Sequence, residues 1–453
     1  MTMSAPELSE LVNNPSLTDA IVRFVVDTPA DALPESARQM ARLSLLDWIA
    51  VTVAGSSEPV SRIVRQMAVD DGGAPDATIV GEKTRLPPRA AAMVNGTASH
   101  ALDYDDTNFV YLGHPSVAVI PAALAVSEKT GATTRAFINA ALIGMEVASR
   151  IGAWLGRPHY EAGFHQTATS GTFGSTMAVA RLLGLNQEQA QHAMGLASTR
   201  ASGLKSQFGT MGKPFHAGMA AANAVEVATL AAADFVSNPD GLTCAQGFAD
   251  THGGQSADQA IVVDGLGEQF QLEAVLHKFH ACCHGTHAAI EALGKARESR
   301  HLEASEVDKV TVTVHPRWLG VCNIASPATG LEAKFSFRLT AAMALAGVDT
   351  SALATFSDDS CTSPALLALR DRVSVQTDVG LSDTAAQVQV KPREGETICA
   401  EHDLVTPMAR PEREMRVRNK AAVLLGNDVA EKVWDATGEP SKPAGHWLAT
   451  LNH

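Results

Sequence analysis

Four polar clusters in the sequence carry side chains able to do chemistry. The densest runs His100-Ala-Leu-Asp103-Tyr-Asp105-Asp106-Thr107 and is followed by His114-Pro115-Ser116. Helical spacing over its first part predicts His100, Asp103 and Thr107 on one face. The helix is expected to stop before His114. Asn108 and Gly113 flank a tyrosine-containing loop there, and Pro115 disfavours helix at the residue before it. The stretch offers a proton acceptor, a hydroxyl donor and an imidazole, with further carboxylates beside them. One reading is an acidic helix end followed by a surface loop. The other is a gathering of titratable groups of the kind found at functional sites.

The second cluster is Gly163-Phe164-His165-Gln166-Thr167-Ala-Thr169-Ser170-Gly171-Thr-Phe-Gly174-Ser175. It precedes an apolar helix, whose free backbone N–H groups suit an anion. A helix cap with close packing around the glycines fits equally well. The cluster matches neither a Walker loop nor a Rossmann fingerprint, so a nucleotide is not expected. The third, Gly209-Thr-Met-Gly212-Lys213-Pro214-Phe-His216-Ala-Gly218, sets a lysine before a proline at the mouth of a small-residue helix. Its ammonium points into a cavity or into solvent.

The fourth is His277-Lys278-Phe-His280-Ala-Cys282-Cys283-His284-Gly-Thr286-His287. Its ligand-type side chains raise a metal-dependent hydrolase centred on residues 277–287, although the paired C-x₂-C spacing of structural zinc sites is missing. A substrate-binding loop and a buried turn remain the other readings. No nucleophile elbow is present. The clusters share cations, imidazoles and hydroxyls without a cofactor fingerprint. Such residues suit small polycarboxylates, with cations holding carboxylates while another group moves a proton at the adjacent carbon.

The elements that must position these residues are mostly helices. Apolar periodicity predicts helices over 16–28, 35–55, 88–102, 115–130, 133–155, 169–183, 187–202 and 213–235, with a weak strand at 77–80. Alternation at period two over 307–314, 373–376 and 388–391 reads as strands. The last is joined to 397–400 through a Pro392/Gly395 turn. Helices are expected between the strands at 332–345 and 363–370, and after them at 412–425 and 427–436. Strands therefore cluster within 270–402 of an otherwise helical chain.

The 453 residues suffice for two or three domains. Hydrophobic content of 45% with only 5% aromatics fits helices crossing on small residues. A net charge of −14 argues against nucleic acid or an anionic membrane as partner. Six cysteines without regular spacing point to a reducing compartment. The polar stretch Met1–Asp19 lacks a signal-peptide pattern, and no apolar run is expected to reach bilayer length. A cytoplasmic location follows as the expectation.

In this order the clusters resemble the MmgE/PrpD family. The resemblance also takes in Leu45-Leu46-Asp47 before Gly55, Asn95-Gly96 before His100, Lys278 with Cys282-Cys283 and Thr286-His287, and Leu331-Glu-Ala-Lys-Phe335-Ser336. It implies a mainly α fold, with a large all-helical domain formed by both chain ends (1–268 and 404–453) and a smaller α/β lid (269–403), in a homodimer. Activities in the family include 2-methylcitrate dehydratase, cis-aconitate decarboxylase and iminodisuccinate epimerase, all without cofactor or metal, on small di- or tricarboxylates. Carried over by position, the family's pocket comprises Asp103, Thr107, His114, His165, Lys213 and Lys278, the last on the lid, whose closure would complete the site.

On this reading Lys213 and Lys278 hold carboxylates and developing negative charge, His114 or Asp103 moves the proton, and His165 donates or orients. Because an unperturbed imidazole titrates nearest neutrality, His114 is favoured as the mobile partner. The chain departs from the family where Gln166 replaces a common proline. It departs again where Lys-Pro-Tyr-Pro-Cys-Cys-Arg becomes Lys278-Phe-His280-Ala-Cys282-Cys283-His284. His280 and His284, beside Cys283, are expected to replace the lost arginine in substrate binding. With a loop between Thr107 and His114 longer than in the decarboxylases and a chain shorter than the 2-methylcitrate dehydratases, these departures point away from an orthodox methylcitrate enzyme toward shorter members such as the epimerase. The expected activity is an epimerase or a dehydratase, with a cis-aconitate-type decarboxylase as the alternative.

Overall fold

The computed structural model describes residues 16–253 and 258–451. The stretch read for a signal peptide thus lies mostly outside the described residues. Prolines start the helices Pro59–Asp71, Pro88–His100 and Pro115–Thr130. At that position their missing N–H costs nothing and their φ is already helical. Ser16 and Asn186 close capping boxes on Leu17–Asp27 and Gln187–Ala197.

Pro88–His100, Pro115–Thr130, Thr134–Glu161, Gln166–Leu183 and Gly212–Ala232 pack on one another as the centre of the first unit. Small residues allow this closeness. A Cβ on Gly96 would lie 2.9 Å from the Cα of Gly218, so the first and last of these helices meet backbone to backbone. Thr134–Glu161 breaks at Gly156, whose φ of 66° is left-handed. It also corrects one expectation, because by length and composition it is apolar enough to cross a bilayer. Its apolar window is 83% buried inside the protein, and its Glu146 and Arg150 pair at 2.6 Å in the core.

The chain divides into two units, one running through His277 and resuming at Leu424, the other Lys278–Val423. The sequence reading set these limits at 268/269 and 403/404. Residues 269–277 are tied into the helical unit by the Leu272 N–H on Glu146 and by paired backbone bonds between Leu276 and Thr107. Helix Arg410–Leu425 holds to the second unit through Arg416, which pairs with Glu291 and lies over the Phe279 ring.

The second unit contains strands β1 (Val307–Val314), β2 (Val373–Thr377), β3 (Ala385–Pro392) and β4 (Ile398–Asp403), in the order β2-β1-β3-β4. Of these pairings β1/β2 is parallel and the others antiparallel. Helix His284–Arg300 covers the sheet. The single helix expected over 332–345 is two, Gly330–Ala333 and Phe337–Leu345. Ser336 breaks the run by capping the second, its Oγ accepting the Leu339 N–H at 3.2 Å. Among the described residues the fold is mainly α, with this small mixed sheet and a two-stranded antiparallel pair, Ala77–Thr78 with Arg85–Leu86, in the helical unit.

Candidate active site

Helix Pro88–His100 delivers His100 on its last residue and stops. The chain then turns so tightly that the Asp103 N–H donates to the His100 carbonyl, with Asp103 at a φ of 49°. Left-handed backbone is tolerated by aspartate better than by most residues, at a cost of about 1 kcal/mol. The helical face predicted for His100, Asp103 and Thr107 is therefore not formed. Thr107 instead pairs its backbone with Leu276, and its hydroxyl donates to the Leu276 carbonyl. The turn gathers His100, Asp103 and Asp105 around His114, at the start of the next helix.

His114 Nδ1 lies 2.7 Å from Asp105 Oδ2, and its Nε2 3.7 Å from Asp103 Oδ1. His100 Nδ1 reaches both Asp105 oxygens, at 2.9 and 3.1 Å. The His114 backbone N–H donates to Thr167 Oγ1. Asp106 accepts from both the N–H and the hydroxyl of Ser116, and Asn108 bridges Gly113 to close the loop.

Two further elements enter this cluster. His165 precedes helix Gln166–Leu183, its ring 5.8 Å from that of His100 and its Nδ1 3.2 Å from His216 Nδ1. Lys213, in the first turn of Gly212–Ala232, places Nζ 2.9 Å from Asp103 Oδ1 and 5.4 Å from the Phe208 ring centre. Asp103, His114, His165 and Lys213 are thus brought together.

The Thr- and Ser-rich second cluster lies inside its helix rather than before it. Ser170, Thr172 and Thr176 donate back to carbonyls one turn earlier. Those hydroxyls serve the helix itself, whereas His165 and Thr167 of the same cluster meet His216 and the His114 N–H.

Burial alone would raise the Asp105 carboxyl, but His100 and His114 beside it hold it well below the usual carboxylate range. His114 is pushed down to about 4 by burial, which outweighs the attraction of Asp105. The expectation that it titrates near neutrality is corrected, because the resting imidazole is neutral. Burial likewise lowers His165 well below its ordinary value, helped by His100 and Lys213. Asp106 is pushed up to about 7 by burial and the nearby Asp47 carboxylate.

Residues 19–260 match the MmgE/PrpD N-terminal domain and residues 280–435 the MmgE/PrpD C-terminal domain. The chain belongs to the MmgE/PrpD family. It is 30% identical to a cis-aconitate decarboxylase of Aspergillus terreus over 62% of this chain and 60% of that protein. It is 28% identical to a cis-aconitate decarboxylase-like protein of Aspergillus oryzae, over 63% of this chain and 62% of the relative. The match to the human cis-aconitate decarboxylase is longer, 24% identity over 92% of this chain and 90% of that protein. The alignment thus spans about three fifths of the fungal relatives and most of the human one. Relatives of this MmgE/PrpD chain are lyases.

Lys278, His280, Cys283 and His284 belong to the other unit. His280 is spent structurally. Its Nδ1 lies 2.6 Å from Thr350 Oγ1 and its Nε2 3.1 Å from Glu291, so neither ring nitrogen is open to a substrate and its expected binding role is corrected. Cys283 caps the start of helix His284–Arg300 and donates its N–H to the Lys334 carbonyl, while its thiol shares a hydrogen bond with the Cys322 thiol, neither being in a disulfide. Lys278 is buried, and the His284 ring packs edge-on against His287.

The metal reading of 277–287 loses its ligands to such contacts, His287 Nε2 lying 3.3 Å from the Cys282 carbonyl. Among the described residues the ligand atoms that gather within 4.8 Å are those of His100, Asp103, Asp105 and His114. One of those ligand groups, the Asp103 carboxylate, is paired with the Lys213 ammonium at 2.9 Å.

The site residues that sequence reasoning missed are Asp105 and His216, with His100 in its contact with Asp105. His216 follows Lys213 by one helical turn, a signal that spacing carried. Asp105 was hidden because the left-handed turn at Asp103 leaves no mark in hydrophobic periodicity.

Proposed function

We propose that this MmgE/PrpD chain is a cofactor-independent lyase of small tricarboxylates that decarboxylates a cis-aconitate-type acid. The observation that carries the proposal is the convergence of one cation, Lys213, with one largely buried neutral imidazole, His114, on the Asp103 carboxylate. Relatives named as cis-aconitate decarboxylases support the choice of reaction.

In such a substrate one carboxylate sits on the carbon next to a C=C bond. When the C–C bond to that carboxylate breaks, carbon dioxide leaves and its electron pair forms a new double bond. The old double bond shifts its pair to the far carbon, beside another carboxylate. Lys213 neutralises the charge that builds up there. A proton from His114 Nε2 completes the product. A bound polyanion raises the proton affinity of a nearby imidazole, which is how the neutral His114 of the resting site would come to carry that proton.

A second reading is proton abstraction, in an iminodisuccinate-type epimerisation or a 2-methylcitrate-type dehydration. The observation that favours it is that burial keeps resting His114 in its neutral, proton-accepting form. A homodimer belongs to the proposal as well, and light scattering at two concentrations tests it.

The deciding experiment is proton NMR of the purified protein in D₂O with cis-aconitate, methylcitrate and iminodisuccinate. Loss of a carboxylate with deuterium at the carbon beside a remaining one supports the decarboxylase. Deuterium at an α-carbon with unchanged connectivity replaces it by an epimerase. New olefinic signals from methylcitrate replace it by a dehydratase. An unchanged panel sinks all three.

A further inference from the structure

We propose that Asp105 is the positioning residue of this site, one buried carboxylate that fixes two imidazoles, His100 and His114, with their protons on Nδ1 and bare lone pairs on Nε2. The argument begins with burial. Asp105 and the His100 side chain have no solvent exposure, so their polar atoms must satisfy one another. An ionised carboxylate only accepts hydrogen bonds, so a ring nitrogen bonded to it must bring the proton. His100 Nδ1 sits within bonding distance of both Asp105 oxygens. His114 Nδ1 comes to 2.7 Å of Oδ2, close but bent away from the ideal N–H···O line. Contacts of this kind often tighten only when substrate is bound.

The other end of each ring then follows. A neutral imidazole with its proton on Nδ1 is an acceptor at Nε2. His114 Nε2 faces the Asp103–Lys213 pair, where a lone pair meets an ammonium and the proton of a carbon acid. His100 Nε2 is buried with no hydrogen-bond partner among the described residues, while its ring packs edge-on to His114 and face-on to His165.

The two neighbouring carboxylates divide the work. Asp106 secures the loop by taking both donors of Ser116. Asp103 binds the lysine. Asp105 touches the imidazoles, as the third member of a nucleophile–base–orienter set holds its base.

The test is a long-range ¹H–¹⁵N correlation spectrum of the full chain labelled with ¹⁵N-histidine, near neutral pH, with His100→Gln and His114→Gln assigning the rings. Both rings are expected as Nδ1–H tautomers. In Asp105→Asn the amide can donate to a ring nitrogen, so one ring or both should move to Nε2–H. Turnover should fall by about a hundredfold or more with KM little changed, on the scale of a lost orienting carboxylate.

An Nε2–H ring in the unaltered protein overturns the proposal. So do ring signals that stay unchanged in a folded Asp105→Asn protein, or a full kcat there. If that variant does not fold, the tautomers of the unaltered protein decide. The kinetic arm rests on the carbon-acid reading above, whereas the spectrum does not. A protein with both rings Nδ1–H that turns over no substrate would retain this inference and defeat only the proposed function.

Discussion

Lys213 Nζ reaches Asp103 Oδ1 at 2.9 Å because the helices that lead to the two residues touch through Gly96 and Gly218. A methyl group on Gly96 would meet only backbone, at 2.9 Å from Gly218 Cα, 3.1 Å from its N and 3.2 Å from the Ala217 carbonyl. No rotamer change relieves that contact, so the helices must part. Gly96→Ala should cost about 1–3 kcal/mol, the usual range for overpacking. It should also lower turnover, because parting the helices lengthens the ion pair. Gly294→Ala is the control, since a Cβ there meets nothing within 4 Å and alanine favours helix by up to about 1 kcal/mol. Thermal melts and kcat on both variants check this. A Gly96→Ala protein as stable and active as the parent would show that the close crossing does not set the ion pair.

The ion pair itself predicts coupling. Lys213→Met leaves Asp103 without its cation, and Asp103→Asn leaves Lys213 without its anchor, so each should lower kcat/KM by about a hundredfold or more. Because both act on one contact, the double variant should fall well short of the product of the two losses. Steady-state kinetics on the four proteins measures this. Strict multiplicativity would mean that the two residues serve the reaction separately.

How much of this was legible beforehand depended on which force set each feature. Helix starts were readable at Pro88 and Pro115, because proline chemistry is local. The break at Gly156 was expected as a helix end after residue 155. The sheet was readable from the alternation in Val307–Val314, whose valines Val310, Val312 and Val314 are buried. The residues of the candidate site were readable as types, and His114, His165 and Lys213 do come together. Their protonation was not, because the shift of His114 arises from burial by chain segments far away in sequence. The geometry of the opening stretch failed at one residue. Helical spacing assumed φ near −60° at Asp103, and its left-handed backbone turns Asp105, rather than Thr107, toward the histidines.

Two buried groups give opposite pH dependences. His114 falls from 6.5 to about 4 on folding, so the unfolded chain takes up a proton that the native state refuses. Its contribution to stability is present above pH 6.5 and is lost as pH falls toward 4, by at most about 3 kcal/mol. Asp106 rises from 3.8 to about 7, so the native state keeps a proton that the unfolded chain releases. Its contribution is present below pH 3.8 and is lost as pH rises toward 7, by at most about 4 kcal/mol. Between pH 4 and 6.5 the two slopes oppose each other. Asp106→Asn should therefore make stability rise more steeply with pH across that window than in the parent, by up to about 1.4 kcal/mol per pH unit. Urea melts at pH 4.5, 5.5 and 6.5 report the slope, and a variant no steeper than the parent refutes the Asp106 assignment.

His280 separates a structural imidazole from a substrate ligand. Its two nitrogens are taken by Thr350 and Glu291, and Glu291 in turn pairs with Arg416 on helix Arg410–Leu425. Burial opposes ionisation of Glu291, yet His280 and Arg416 hold its carboxyl well below the ordinary value, so the network is electrostatically tight. His280→Ala takes from the Thr350 hydroxyl its imidazole partner and leaves Glu291 Oε1 with Arg416 alone, which costs about 1–3 kcal/mol for partly buried groups. The expected result is a lower melting temperature with KM changed less than about threefold, since no substrate contact is lost. His280→Gln, which can reach one of the two partners, should recover part of the stability. A tenfold rise in KM in a His280→Ala protein of unchanged stability would return His280 to the substrate.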